Sequence, residues 1–189
     1  NAEVVLNQLY RHTALQTSFG VNMLALNGGR PELLSLKAVL DAFVIFREEV
    51  IARRTQHELA KARDRGHVLL GLVVAVANID EVIALIRAAP DPAEARAALM
   101  ARAWPAGDIA PLIELVGDSA SGALTDGGYT LSEIQARAIL DLRLHRLTGL
   151  EQDKIQDELD ETAGKIREYL EILGSREKLY ELMREELLT

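Results

Sequence analysis

The sequence contains no cysteine, and only 4% of its 189 residues are aromatic. Without cysteine the chain can form neither disulfides nor thiolate metal ligands, and we expect a reducing compartment, the cytoplasm. Because aromatics are scarce, a core must be built from aliphatic side chains, and this composition, rich also in Glu and Arg, favours helices over sheets. No apolar run approaches the roughly 18 residues that a membrane-spanning helix needs, so we expect no membrane segment.

Positive charge is also in short supply. The chain has 29 acidic and 21 basic residues, a net charge of −8 and an isoelectric point near 5.1. This balance argues against a nucleic-acid binder that relies mainly on its own charge. The sequence starts inside an apolar-periodic segment, NAEVVLNQLY, without an initiating Met. We therefore expect it to be a piece of a longer chain.

The first 34 residues combine the end of a helix with a β-hairpin. Apolar residues over 3–15 follow a helical period, and from Phe19 to Leu26 the period changes to two, which predicts a strand. Asn27-Gly28-Gly29 supplies residues suited to a tight turn, and the chain can return over 31–34 as a short edge strand. A lone hairpin is marginal in water, so we expect it to pack on neighbours.

Two long helical segments with narrow apolar stripes bracket the middle of the chain. The first extends over 35–78, and between Ile51 and Val68 its only large aliphatic residue is Leu59. The second begins at the capping box of Thr148 and Glu151 and ends at Gly174. A helix this polar cannot be buried in a globular core, and the apolar residues of the second recur at coiled-coil spacing. We predict that the two helices pack on each other, with a seam that contains Ile51, Leu59, Ala62, Ile155, Leu159, Ile166 and Leu170.

Gly164 weakens the second helix, and a close approach of its partner would explain why it is tolerated. Between the two helices, residues 79–147 contain several short helices, a glycine-rich loop over 117–130, and a capping box of Ser132 with Gln135 that begins the helix SEIQARAILDLRLHRL. We call residues 79–147 the head. Ser175 caps a last helix.

The fold class that follows is mainly α: a long antiparallel two-helix coiled-coil arm carrying a small globular helical head, with a short β-hairpin near the N-terminus. The predicted domains are the end of a hairpin-containing domain (1–34), the first arm helix (35–78), the head (79–147), the returning arm helix (148–174) and a C-terminal helix (175–189).

Patterns typical of catalytic or metal sites are lacking. The four histidines, His12, His57, His67 and His145, show no HExxH spacing, the glycine pairs match neither a P-loop nor a dinucleotide fingerprint, and no serine has a nucleophile-elbow context. The acids near 153–161 fit a solvated helix face better than a cation site. From the residues alone we find no active site and predict no catalytic, cofactor-binding or metal-binding residue.

One cluster of basic residues is a candidate for DNA contact: Arg47, Arg53, Arg54, Lys61, Arg63 and Arg65. Four acids interleave with these six bases, so the surplus there is only +2. Residues 151–189 hold twelve acids and six bases, a net charge of −6. Because the two arm helices carry opposite charge, the favoured interpretation is ion pairing within and between them.

Several motifs in a fixed order resemble the A subunits of bacterial DNA gyrase, a type IIA topoisomerase. The most specific are RRT at 53–55, KARDR at 61–65, NID at 78–80, ILDLRL at 139–144 and LTGLE at 147–151. The resemblance covers essentially the whole chain. Two small departures are Phe46, where the family often has His, and Gly66, where Ala is usual.

The resemblance implies the end of a tower domain, then the arm and the head that forms the exit gate. In that family the head homodimerises and opens to release the transported DNA segment during ATP-dependent negative supercoiling. It also implies an A2B2 assembly with the gyrase B subunit, which binds ATP and Mg²⁺, and a catalytic tyrosine outside these residues, so that the chain alone is inactive and holds no cofactor. We expect the dimer contact at exposed apolar positions of the head and the adjoining arm: Leu72, Val76, Ile79, Ile134, Ala138 and Leu142.

Three alternatives stay open. The topoisomerase IV counterpart of this subunit shares much of the pattern, a stand-alone helical dimerisation scaffold would explain the arm and head without nucleic acid, and an autonomous enzyme would require a site that the sequence does not reveal.

Overall fold

The computed structural model describes residues 2–105, 110–117, 124–125, 128–142 and 149–188. The chain divides into two compact units, Asn1–Arg47 and Glu48–Thr189. The predicted mainly α fold is confirmed, since the described residues form eight helices and five short strands. The helices are α1 (Ala2–His12), α2 (Leu36–Ala77), α3 (Ile79–Ala88), α4 (Pro92–Ala101), α5 (Ala110–Val116), α6 (Glu133–Leu140), α7 (Gly149–Gly174) and α8 (Arg176–Leu188). The strands are β1 (Leu24–Asn27), β2 (Arg30–Leu33), β3 (Ala103–Trp104), β4 (Leu124–Thr125) and β5 (Gly128–Thr130).

The first unit contains the predicted hairpin. β1 and β2 pair antiparallel, and Gly28 and Gly29 take φ values of 55° and 80°, which a two-residue turn between twisted strands requires. The first strand begins at Leu24 rather than at Phe19. The last rung is a hydrogen bond from the Leu34 amide to the Met23 carbonyl, so residues 19–22 have no opposite strand to pair with.

In the second unit, α2 and α7 pack antiparallel along a narrow buried stripe. Arg65 of α2 forms a hydrogen bond with Glu158 of α7. The next residue of α2, Gly66, also faces α7, because a Cβ placed on it would lie 3.6 Å from Thr162 and from Ile166. At its other end α2 bonds Arg176, just beyond α7, through Glu48. Of the predicted seam residues, Leu59, Ile155, Leu159 and Ile166 are buried in one cluster, Ala62 packs against that cluster, and Ile51 is fully buried.

The seam prediction needs correction at Leu170. This side chain is 37% exposed, whereas Tyr169 and Leu173 pack against the buried cluster. Tyr169 lies three residues after Ile166 and Leu173 four residues after Tyr169, so a helical stripe that follows these steps contains both and leaves out Leu170.

The explanation offered for Gly164 is also wrong. A Cβ at Gly164 would meet nothing within 4 Å, so no helix approaches closely there. The close approaches occur on α2 instead. A Cβ at Gly66 would lie 3.1 Å from Val116 of α5, and one at Gly71 would lie 2.6 Å from Gln135 of α6.

The head begins at a sharp bend, because α2 and α3 meet at 91°. Asn78 occupies the N-cap position of α3, Asp80 lies in the first turn, and the Asn78 side-chain amide donates to the Val74 carbonyl at 2.9 Å. No single helix of the described segments is long and apolar enough to cross a membrane, although α2 and α3 together meet the length and composition criteria.

The glycine-rich segment 117–130, expected to be a loop, contributes two strands. β3, β5 and β4 form a small antiparallel sheet in which Trp104 lies opposite Tyr129. Trp104 is fully buried and its indole N–H donates to the Leu99 carbonyl at 3.0 Å. The next helix, α6, ends at Leu140, earlier than predicted; Thr148 and the rest of 143–148 lie outside the described residues.

A buried hydrogen-bond network joins the start of α6 to α2. The predicted capping box is confirmed, with the Ser132 amide donating to Gln135 Oε1 at 2.9 Å and the Gln135 amide donating to Ser132 Oγ at 3.2 Å. This fixes the orientation of the Gln135 side chain, whose Nε2 donates to the His67 carbonyl at 2.7 Å and to the Tyr129 hydroxyl at 2.6 Å. His67 Nε2 lies 2.6 Å from Ser132 Oγ. The head is therefore anchored to the arm by directional bonds as well as by apolar packing.

We predict opposite effects for the same substitution at two helical glycines. Gly71→Ala should lower the free energy of unfolding by about 1–3 kcal/mol, because the added methyl overlaps Gln135 and disturbs the network. Gly164→Ala should raise it by about 0.5–1 kcal/mol, because alanine favours the helix and meets no neighbour. Urea unfolding followed by far-UV circular dichroism measures both; a stabilised Gly71→Ala variant would contradict the close approach.

A second pair of substitutions tests the seam. Leu159→Ala should cost about 2–5 kcal/mol, because it leaves a cavity at a fully buried position. Leu170→Ala, on the same helix, should change the free energy of unfolding by no more than about 1 kcal/mol, because that side chain is largely exposed. Equal losses in urea unfolding would mean that the stripe does not run as described.

Candidate functional site

An apolar groove of about 280 Å³ lies on the surface of the head between α3 and the end of α6. One wall is formed by Ile79, Val82, Ile83 and Ile86 of α3, and the other by side chains that include Ile139, Leu140 and Leu142. Among the described residues that line the groove, Arg87 alone is charged. Several aliphatic side chains that border the core are thus partly exposed at an open groove, which is the pattern expected of a surface that is covered by a partner.

The structure brings together only part of the predicted interface set. Ile79 and Leu142 both line the groove. Val76 is partly exposed but does not line it, and Ile134 is 64% exposed on a different part of α6. Ala138 packs against the core cluster.

Leu72 was expected among the exposed apolar positions, and this expectation is wrong. Its side chain is only 6% exposed and belongs to the buried cluster. After Gly66 the buried face of α2 widens, and Leu69, Leu70 and Val74 are buried as well. The reason is that the head covers this part of the helix. Leu72 is therefore unavailable to a second molecule.

Sequence reasoning missed Ile83, Ile86 and Leu140. The signal for the first two was present, because Ile79, Ile83 and Ile86 follow one another at spacings of four and three and must share a face of α3. What the sequence did not show is that Val82, next to Ile83, turns into the core at 1% exposure while its neighbours remain at the surface.

Half of the basic cluster of α2 forms ion pairs with acidic residues. Arg53 pairs with Glu49 on the same helix at 2.6 Å, Arg65 reaches Glu158 of α7 at 2.6 Å, and Arg54 reaches Glu186 of α8. These pairs favour the ion-pairing interpretation over DNA contact for half of the cluster. They are solvent-exposed, so each contributes only about 0–1 kcal/mol to stability.

A second cleft, of about 340 Å³, lies between α2 and α7 and is lined by charges of both signs. Lys165 donates to Glu161 at 2.7 Å, and this hydrogen bond holds the pKa of Glu161 below its ordinary value and that of Lys165 above it. Mixed, mutually paired charges leave no net field to attract an ionic ligand.

Within the described segments, no group of three or more His, Asp or Glu side chains is arranged to hold a metal ion. His67 belongs to the buried network, and His12 and His57 are exposed; His145 lies outside the described residues. Ser132 and His67 are close enough for hydrogen bonding, but Ser132 is 2% exposed and serves as a helix cap. The groove is accordingly the candidate functional site, and its chemistry is that of binding.

Comparison with known proteins supports the resemblance seen in the sequence. The family model for the DNA gyrase/topoisomerase IV A subunit matches residues 1–188. The DNA gyrase A subunit of Granulibacter bethesdensis is 57% identical over 98% of the chain, and that of Rickettsia bellii is 54% identical over 99%. The Salmonella typhimurium protein of the same name is 52% identical over 98%.

The aligned segment makes up 20%, 21% and 22% of these three relatives, so the chain spans about a fifth of their length. The family model nevertheless matches both units and all of the described helices, from α1 to the end of α8 at Leu188. The chain belongs to the family of DNA gyrase and topoisomerase IV A subunits.

Proposed function

We propose that this chain is the coiled-coil arm and exit gate of a DNA gyrase A subunit. The head homodimerises through the groove and opens to release the transported DNA segment during ATP-dependent negative supercoiling. In this proposal the chain acts within an A2B2 assembly with the gyrase B subunit, on double-stranded DNA, and is inactive alone. The observation that carries the proposal is the aliphatic groove between α3 and α6.

A second copy of the chain is the occupant that fits this groove best. A two-fold contact brings the same patch of both molecules together, so each must be complementary to itself. The described part of the lining is apolar apart from Arg87 and meets this condition, because aliphatic surfaces are compatible with one another whereas a strongly charged patch would repel its copy.

The same groove suits a contact that must also open. The lining residues Ile79, Ile83, Ile86, Leu140 and Leu142 are partly exposed in the single chain. Val82 and Ile139, which also line the groove, are already buried without a partner, at 1% and 4% exposure. Two heads can therefore separate without unfolding, and the cost of opening is the apolar surface returned to water, about 25 cal/mol per Å².

The corresponding region of topoisomerase IV is the second candidate. The family description covers both proteins, but the three relatives described above all carry the name of the DNA gyrase A subunit. A stand-alone dimerisation scaffold is disfavoured because relatives with 52–57% identity are about five times as long.

The acidic surface of α7 suits the passage of DNA along the arm. Asp153, Asp157 and Asp160 are exposed and follow one another at spacings of four and three, which places them on one stripe of the helix. A polyanion gains nothing from binding such a surface and leaves it readily.

The groove predicts the outcome of one substitution. Ile83→Glu should shift the chain from dimer to monomer at tens of micromolar, because two copies of a carboxylate would be buried against apolar side chains and each other. Analytical ultracentrifugation measures this, with circular dichroism to verify the fold.

Leu187→Glu is the matched control, since Leu187 is 52% exposed at the end of α8 and does not line the groove. It should leave the dimer intact. A strictly monomeric parent chain at these concentrations, or a dimer unaffected by Ile83→Glu, would contradict the proposed gate.

A second prediction concerns DNA. Replacing Asp153, Asp157 and Asp160 by Lys should create salt-sensitive binding of duplex DNA, with a slope of log K against log salt steeper by about 0.9 per phosphate contacted. Replacing them by Asn should not, because neutral side chains release no counterions. Fluorescence anisotropy measures both; tight DNA binding by the unsubstituted chain would argue against a repelling surface.

A further inference from the structure

The chain reverses direction after α7, and α8 lies against the part of α2 that begins at Glu48. Gly174 ends α7, and Ser175 caps α8 by accepting a hydrogen bond from the Lys178 amide at 3.4 Å. Arg176 at the start of α8 bonds Glu48, and Glu186 near its end bonds Arg54. The two helices therefore run parallel here, and we call α8 together with residues 48–55 of α2 the base of the arm.

Three side chains form a closed set of bonds at the start of α8. Arg176 donates two parallel hydrogen bonds to the Glu48 carboxylate, from Nε and Nη2, each 3.0 Å long. Tyr180, one turn further on, donates its hydroxyl to the same carboxylate at 2.9 Å and accepts from Arg176 Nη2 at 3.0 Å. The guanidinium also lies 5.2 Å from the centre of the Tyr180 ring. Glu48 thus accepts three bonds from α8.

The apolar packing of the base is separate from the main core. Ile51, Leu179 and Met183 are at most 7% exposed, yet none belongs to the large buried cluster that runs from Leu59 into the head. Between Ile166 and the turn, Tyr169 and Leu173 pack against the main cluster, but none of residues 167–174 is fully buried. The base is consequently a satellite of the fold, held by a few apolar side chains and by ion pairs at the surface.

We infer that α8 is a releasable strap: the Glu48–Arg176–Tyr180 bonds hold it on α2, and it detaches as a unit while the arm seam and the head stay folded. A segment with few buried contacts and exposed ionic bonds opens at lower free energy than the core to which it is attached. The Arg54–Glu186 pair holds the far end in the same exposed manner.

The ionic bonds make the strap sensitive to acid. Hydrogen bonds from Arg176 and Tyr180 hold the pKa of Glu48 below its ordinary value of 4.5. A carboxylate with a lowered pKa stabilises the folded form fully above its unfolded value and loses this contribution as the pH falls through the lowered value. The groups of α8 that face Glu48 are Tyr180 and Arg176, and the hydrogen bond to Glu48 raises the pKa of the Arg176 guanidinium, which therefore keeps its charge.

This inference rests on the proposed function for its biological use. In the proposed gate, the strap ties the end of α7 to α2 at the base. Release of α8 would free that end without loosening the apolar seam.

Hydrogen–deuterium exchange of a gyrase A subunit that carries this segment tests the strap. Glu48→Gln should speed amide exchange in residues 176–188 about three- to tenfold, because it removes the negative charge that accepts the hydrogen bonds of Arg176 and Tyr180. Tyr180→Phe should give a smaller increase in the same peptides. Peptides from the head and from residues 59–75 should keep their protection.

Glu49→Gln is the matched control, since Glu49 is adjacent and its ion pair to Arg53 stays within α2. Unchanged exchange of α8 in Glu48→Gln, an equal effect of Glu49→Gln, or loss of protection throughout α2 would each overturn the strap. Sedimentation of the same variants distinguishes failure of the proposed gate from failure of the strap. A monomeric unsubstituted subunit would contradict the gate, whereas a dimer in which Glu48→Gln leaves α8 exchange unaltered would contradict the strap alone.

Discussion

The buried stripe shared by α2 and α7 is the constraint on which the second unit depends. Both helices are strongly polar outside this stripe, and a helix of that kind gains too little from its own hydrogen bonds to persist alone in water. Leu59, Leu159 and Ile166 supply the missing stabilisation, since all three lie in the same buried cluster. The ion pairs that cross between the helices, such as Arg65 with Glu158, select the antiparallel partner more than they stabilise it.

The stripe does not end with the arm but continues into the core of the head. α2 contributes residues to the stripe and to the core of the head. Two of its glycines leave room for helices of the head: Gly66 lies against Val116 of α5, and Gly71 lies against Gln135 of α6. Because Gln135 also bonds His67 and Tyr129, the head is fixed to α2 at a defined orientation. The wall of the groove that α6 supplies is therefore fixed to α2 by directional bonds.

Local signals in the sequence were sufficient for the helices, the Ser132 capping box and the hairpin, since spacing, caps and turn glycines act over a few residues. They failed where distant segments decide. The strand pairing of Tyr129 with Trp104 depends on a neighbour 25 positions away, and Leu72 looks like a surface residue until the head covers it. The groove was half predicted for the same reason: Ile79 and Leu142 were named, but which face of α3 remains open is decided by tertiary packing.

The distribution of strong and weak contacts has a mechanical consequence. Between Leu59 and the head, burial is continuous and protected from water, so this part moves as one piece. Packing is thinner at the groove, where aliphatic side chains are partly exposed, and at the base, where exposed ionic bonds hold α8. In the proposed gate, opening at the groove or release at the base would leave this middle part intact. Apolar contacts would make closure at the groove insensitive to salt, and ionic contacts would make release at the base sensitive to it, because screening weakens charges in water but leaves buried apolar contacts largely unaffected.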